Sequence, residues 1–163
     1  LALGDALAVC LLEKRGFSEQ DFLIFHPSGA LGKGFTYKVA DLMLTEPEKL
    51  PIAKENDTFA DVIQLISEKK LGMAMIVNSE GTLTGVLTDG DIRRTLIKYQ
   101  NIRPLLAKDV MSVNPKHISK TDYGASALNL MEKYSITALA VVDENNKPIG
   151  VIHIHDLLKA GVA

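Results

Sequence analysis

Gly85-Val86-Leu87-Thr88-Asp89-Gly90-Asp91 and, 65 residues later, Gly150-Val151-Ile152-His153-Ile154-His155-Asp156 share one pattern: a glycine, two apolar residues, and an aspartate closing the stretch. Outward from these strings, segment 57–92 lies on 122–157 without a gap. Phe59, Val62, Ile63 and Ile66 mark one helix face in the first copy, and Gly124, Ala127, Leu128 and Met131 hold the same register in the second. Both follow the i, i+3, i+4, i+7 spacing of an amphipathic helix, with Gly124 weakening the second face. The apolar runs 73–77 and 138–142 then read as buried strands, followed by turns at 78–81 and 143–147. Each signature occupies the next strand and leads into a terminal helix beginning near Asp91 or Asp156. Upstream, Val39-Ala40-Asp41-Leu42-Met43 echoes Lys108-Asp109-Val110-Met111 at a slightly longer spacing.

Each copy is therefore a strand–helix–strand–strand–helix unit of roughly sixty residues, an internal repeat. A unit that small buries its sheet poorly alone, so the two copies are expected to pack face to face. The expected fold is α/β (α+β), with two related clefts between the repeats.

Composition agrees with a packed domain. The chain has 163 residues, 47% hydrophobic and 23% charged, which supplies a core and excludes wholesale disorder. A net charge of -2 gives no electrostatic footprint for nucleic acid or acidic membranes. No uncharged apolar run reaches the length of about 18 residues that a bilayer span needs. The single cysteine, Cys10, excludes an internal disulfide and fits a reducing cytoplasm, where the protein is expected.

The N-terminal segment reads differently. Asp5 caps a helix whose residues Leu7 to Leu12 are apolar on nearly every side, Lys14 and Arg15 complement its C-terminus, and Gly16 ends it. Such a helix needs cover, so it is expected to be the last element of a preceding domain. Ser18-Glu19-Gln20-Asp21 resembles a capping-box start to a short helix ending near His26, where Pro27 stops it. Residues 27–34 are glycine-rich but not a Walker loop: the spacing before Gly32-Lys33 is too short, and Gly34 stands where Ser or Thr would hold magnesium.

The signature carries chemistry. Gly85 lets its strand approach a neighbour or a ligand closely. Thr88 offers a hydroxyl, and Asp91 a carboxylate at a helix start that caps the helix, grips the vicinal hydroxyls of a ribose, or does both. Met73, Ala74 and Thr137, at the starts of the central strands, are placed to flank a base or a phosphate. Arg93 and Arg94 either meet an anionic ligand group or form a solvated face. In the second copy His153 replaces the hydroxyl residue, with His155 and Asp156 close by. The two histidines suggest a metal, or an anionic partner when protonated, but no Cys or further His completes a metal set, and no metal or cofactor is expected. An occupied nucleoside cleft is thus expected at the first signature rather than the second.

Gly85-Val86-Leu87-Thr88-Asp89-Gly90-Asp91, inside a duplicated unit of this element order, resembles the signature of tandem cystathionine-beta-synthase (CBS) domains. Further strings extend the likeness: Gly4-Asp5-Ala6-Leu7-Ala8-Val9, Arg15-Gly16-Phe17-Ser18, His26-Pro27-Ser28-Gly29-Ala30-Leu31-Gly32, and Thr88-Asp89-Gly90-Asp91-Ile92-Arg93-Arg94. Leu71-Gly72-Met73, Ala127-Leu128-Asn129-Leu130-Met131 and His155-Asp156-Leu157-Leu158-Lys159-Ala160-Gly161-Val162 complete the set. With them nearly the whole chain resembles the C-terminal half of bacterial arabinose-5-phosphate isomerases, in which a sugar-isomerase (SIS) domain precedes two CBS domains.

That resemblance implies a parent enzyme converting ribulose 5-phosphate to arabinose 5-phosphate through an enediol, on the route to Kdo and lipopolysaccharide. The family's histidine in the His-Pro string maps onto His26, serving a neighbouring subunit, with the remaining catalytic groups in the SIS domain. The implied division is 1–36 as SIS remnant and linker, 37–104 as the first CBS domain and 105–163 as the second. The implied partners are its own SIS domain, further copies in a homo-oligomer, and a nucleotide or nucleotide sugar: CMP-Kdo as pathway end product, or an adenine nucleotide. The competing expectation is a CBS pair that binds nothing and fixes the oligomer. A tail of an SIS-type transcription factor lacks support, since neither a helix-turn-helix nor a basic surface is visible.

Overall fold

The two repeats fold into two small sheets of matching design. In the first, β1 (Ile52–Lys54) runs parallel to β2 (Met73–Val77), which pairs antiparallel with β3 (Leu83–Thr88). Helix α2 (Phe59–Lys69) crosses from β1 to β2, and α3 (Asp89–Lys98) follows β3. The second repeats this order as β5 (His117–Ser119), α5 (Gly124–Tyr134), β6 (Ala138–Val142), β7 (Pro148–His153) and α6 (Ile154–Ala160). Register survives the offset: Met75 faces Val86 in one hairpin and Ala140 faces Val151 in the other. Both hairpins slip register at the same place, at Ile76/Val77 and Val141/Val142. This computed structural model describes residues 36–162, together with Gly4, Cys10, Leu11 and Glu13–Arg15. His26 and the glycine-rich stretch 27–34 lie outside the described residues. Of the N-terminal segment, Gly4, Cys10, Leu11, Glu13 and Lys14 are helical and exposed.

Local chemistry explains the element boundaries. The Thr58 hydroxyl accepts from the Asp61 amide at 3.2 Å and caps α2, while Lys70 in the left-handed region ends it. Ser135 ends α5 in the same conformation, 65 residues on. The predicted helix faces are the buried ones: Phe59, Val62 and Ile66 in α2, and Gly124, Ala127 and Met131 in α5. Ile63 and Leu128 sit at the edge, half-buried. Gly124 does not leave a hole, because Leu157, Val162 and Leu42 come to within 3.4–3.5 Å of where its Cβ would stand.

Period-two alternation sorts the strand residues into layers. Ala74 and Ile76 of β2 join Phe59, Val62, Ile66 and Leu87 beneath the first helices. Leu139 and Val141 of β6 join Met131, Ile152 and Leu157 beneath the second. Met73, Met75, Ala140, Val142 and Val151 form a third core between the sheets, so the repeats meet sheet to sheet with their helices outside. Among the described residues no helix is long and apolar enough to cross a membrane.

The echoed segments do something the repeat alone does not announce. Helix α1 (Val39–Leu42) packs on α5 and α6 of the second repeat, whereas α4 (Ala107–Val110) packs on α2 and β3 of the first. The bonds that seat them match pair for pair. Val39 N donates to Asp122 O and Ala40 N to Lys120 O, as Ala107 N donates to Asp57 O and Lys108 N to Glu55 O. Each repeat thus lends its leading helix to the other. The strand positions follow suit: β4 (Ser112–Val113) pairs with β3, and Leu44 bridges to Val151 on β7. The signature glycines admit these crossings. A Cβ at Gly85 would strike the side chain of Met111, and one at Gly150 would stand 2.8 Å from the backbone oxygen of Leu44. Of the two uses open to Gly85, the structure shows the approach of a neighbouring segment.

Candidate functional site

A cleft of about 610 Å³ opens beside the first signature. The end of β3 and the start of α3 supply Thr88, Asp91, Arg93 and Arg94; the crossing segment supplies 112–116; and residues 134–138 of the second repeat close it. Two carboxylates (Asp89, Asp91) face three cations (Arg93, Arg94, Lys116), so the lining carries a net positive charge.

At its base Thr88 and Asp91 form a reciprocal cap. The Thr88 hydroxyl donates to Asp91 Oδ2 at 2.6 Å and accepts from the Asp91 amide at 3.4 Å, and the Thr88 amide donates to the same Oδ2 at 2.9 Å. Asp91 Oδ1 accepts from Arg94 Nη2 at 2.6 Å and from Ser112 Oγ at 2.9 Å. The Asp91 side chain is only 7% exposed. Burial pushes its pKa up, but the hydrogen bonds from Thr88, Arg94 and Ser112 outweigh burial and hold it below the usual carboxylate value. It is ionised at neutral pH, and both its oxygens are already engaged.

The second signature builds the same cap from other atoms. His153 Nδ1 accepts from the His155 amide at 3.2 Å at the start of α6, and the His153 amide reaches Asp156 Oδ2 at 3.4 Å. The two rings meet edge-on, centroids 4.7 Å apart. Burial first, then the charges of His155 and Lys159, push the His153 pKa below the usual imidazole value, against the pull of Asp156. Its Nδ1 is therefore an acceptor in use, and protonation there would end the cap.

The structure brings Met73, Thr88, Asp91 and Thr137 together around one cleft. Ala74 is placed otherwise: it is fully buried in the first repeat's core, because alternation along β2 turns it to the face opposite Met73. Beside this cleft it flanks nothing. His153, His155 and Asp156 sit at the equivalent helix start of the second repeat and do not line this cleft. His26 lies outside the described residues. Ser112, Lys116 and Tyr134 are among the lining residues that the sequence reading does not pick out. Ser112 directly follows the Val110-Met111 echo, which was the signal available. Lys116 and Tyr134, whose ammonium and ring centroid lie 4.8 Å apart, come from an irregular stretch and a helix end, and nothing in their spacing marks them.

The CBS domain family matches residues 39–98 and 107–163, and the chain belongs to that family. Among curated proteins it is 41% identical to arabinose 5-phosphate isomerase KdsD of Pseudomonas aeruginosa and 40% identical to KdsD of Escherichia coli K12. Each match covers 99% of this chain and 49% of the relative. The chain thus spans about half the length of the curated relatives it matches. Among solved structures, CBSX2 in complex with AMP superposes with a TM-score of 0.65 at 25% identity, over 77% of this chain and 96% of that one.

Proposed function

We propose that this CBS pair is the nucleotide-sensing regulatory module of an arabinose-5-phosphate isomerase, taking CMP-Kdo or an adenine nucleotide in the Thr88/Asp91 cleft. The observation that carries this reading is a cleft with a buried carboxylate at its base and cations at its rim, the chemistry a ribose phosphate asks for. The likeness to KdsD supports the parent activity, and AMP in the CBSX2 complex supports the ligand class. His26 is the catalytic candidate, and the 163-residue chain alone is not expected to turn over ribulose 5-phosphate. In the longer protein His26→Ala is expected to lower kcat strongly; an unimpaired variant would remove His26 from the mechanism.

Calorimetric titration of CMP-Kdo, CMP, AMP and ATP tests the sensing role. A charge-assisted hydrogen bond contributes about 1.5–3 kcal/mol, so Asp91→Ala should weaken binding by roughly 10–150-fold. Thr88→Ala, which removes a neutral hydroxyl, should weaken it less. Because Asp91 also caps α3, Asp91→Asn, which keeps an acceptor oxygen, serves as the folded control. If nothing binds below millimolar, the sensing role falls.

One observation favours the second reading, a CBS pair that fixes an oligomer and binds nothing: Asp91 is already satisfied within the protein. Either reading is compatible with self-association, for which exposed Leu96, Ile97 (87%) and Leu158 offer apolar surface. A homo-oligomer is expected by light scattering at micromolar concentration, and a strict monomer would count against it.

A further inference from the structure

Asp91 has two kinds of partner. Oδ2 serves the backbone, accepting from the Thr88 amide and hydroxyl at the start of α3. Releasing it would uncap the helix. Oδ1 is held by the Ser112 hydroxyl and by Arg94, whose side chain is 71% exposed while the carboxylate beneath it is 7% exposed. Arg94 and Ser112 are both exposed, so either can release Oδ1 without unmaking the fold, and Arg94 is the one that carries a charge.

The guanidinium folds back over residue 90, across the first turn of α3, onto the acid three residues behind it; a Cβ on that glycine would stand 3.4 Å from Arg94 Nη1, ordinary contact distance. In the second repeat that place is taken by His155, with Lys159 in the position of Arg94. Among the described residues Lys159 makes no ion pair with Asp156.

We propose that Arg94 is an internal stand-in for the ligand: it pairs with Asp91 Oδ1, and a ligand hydroxyl displaces it to reach that oxygen. The inference rests on the reading that the cleft takes a ribose-containing ligand. Its consequence is a selectivity rule. A neutral nucleoside trades a guanidinium for a hydroxyl at a carboxylate and gains nothing in return for the freed charge. A nucleoside monophosphate supplies an anion within the same cleft, where the released guanidinium can make a charge-assisted bond. Arg94 thus counts against nucleosides and in favour of nucleotides.

The experiment is a calorimetric titration of adenosine and AMP, and in parallel cytidine and CMP, against wild type, Arg94→Ala and Arg93→Ala of the whole chain. Arg94→Ala is expected to bind the nucleoside about three-fold more tightly and the monophosphate about ten-fold more weakly, so their ratio collapses roughly thirty-fold. Arg93→Ala, which removes a cation that pairs with no carboxylate among the described residues, should weaken the monophosphate without tightening the nucleoside. Nucleoside affinity that stays level or falls in Arg94→Ala overturns the displacement while leaving the sensing reading intact. Failure of all four ligands to bind wild type overturns the displacement, and overturns the sensing reading too when CMP-Kdo and ATP also fail to bind.

Discussion

At position 88 the first repeat sets a threonine hydroxyl at a helix start, and at position 153 the second sets an imidazole in the same place. The hairpins around the two positions are alike in pairing and slip, and a crossing segment lies over each signature glycine, as strand β4 in the first sheet and as the single Leu44–Val151 bridge in the second. The side chains are not. The first acid is buried and receives four hydrogen bonds from Thr88, Arg94 and Ser112, whereas Asp156 is half-buried and receives one long one. Leu44 stands where Ser112 would be expected, so the second carboxylate has no hydroxyl from its crossing segment. A duplicated backbone therefore fixes where a site can be, and a few side chains decide which copy has one.

The largest expected effect tests the backbone half of that statement. Gly150→Ala should cost about 3 kcal/mol in urea unfolding, because the new Cβ meets the backbone oxygen of Leu44, which cannot turn aside. Gly85→Ala should cost about half as much, roughly 1.5 kcal/mol, since it meets the flexible Met111 side chain. Equal losses would mean that the crossings are not held as differently as the contacts indicate.

Next comes the acid pair. Asp91→Ala takes the acceptor from the Thr88 amide at the start of α3 and from the Thr88 and Ser112 hydroxyls, which are half-buried and exposed, a loss of about 1.5 kcal/mol. Asp156→Ala, with one 3.4 Å bond to lose, should cost under about 0.5 kcal/mol. Comparable melting temperatures for the two variants would dissolve the asymmetry.

The caps should also part company with pH. The folded His153 pKa is depressed, so the unfolded chain binds the proton first; stability is full above the ordinary imidazole value and is lost as pH falls below it toward the folded one. His153→Thr copies the first repeat and should remove this loss, leaving the variant more stable than wild type at pH 5.5 by about 1 kcal/mol, the size of an N-cap. At pH 8 the gap should narrow. A gap independent of pH would show that His153 does not titrate through its cap. Smallest of all, Lys116→Ala should change stability by less than about 0.5 kcal/mol, as its contact with Tyr134 is at the surface.

Much of this was legible in the sequence. The strands 73–77 and 138–142 and the faces of α2 and α5 follow from apolar periodicity, because burial on one side is what periodicity records. Thr88 and Asp91 were legible as a cap-and-carboxylate pair, and they are one. The exchange of α1 and α4 was not. Their echo shows in Asp41-Leu42-Met43 and Asp109-Val110-Met111, but an apolar residue says only that it is covered, never by which repeat. The face of Ala74 was missed because a strand buried on both sides gives no polar residue to set its phase. Arg94 was left between ligand contact and solvated surface, since three-residue spacing allows a bond without requiring one.

The exchanged helices also set an order of events during synthesis. Val39 is closed over by residues from Ile118 to Val162, all made long after it. At a ribosomal pace of about 5–20 residues per second, this early helix waits several seconds or more for the segment that covers it. The first repeat in turn lacks α4 until synthesis has passed Val110, so neither half can finish alone. Long waits between partners distant in sequence slow folding and leave apolar surface open to other chains. A stop codon or a cleavage between Val39 and Val110 therefore harms both repeats at once, and residues as distant as Val162 are among those that cover α1.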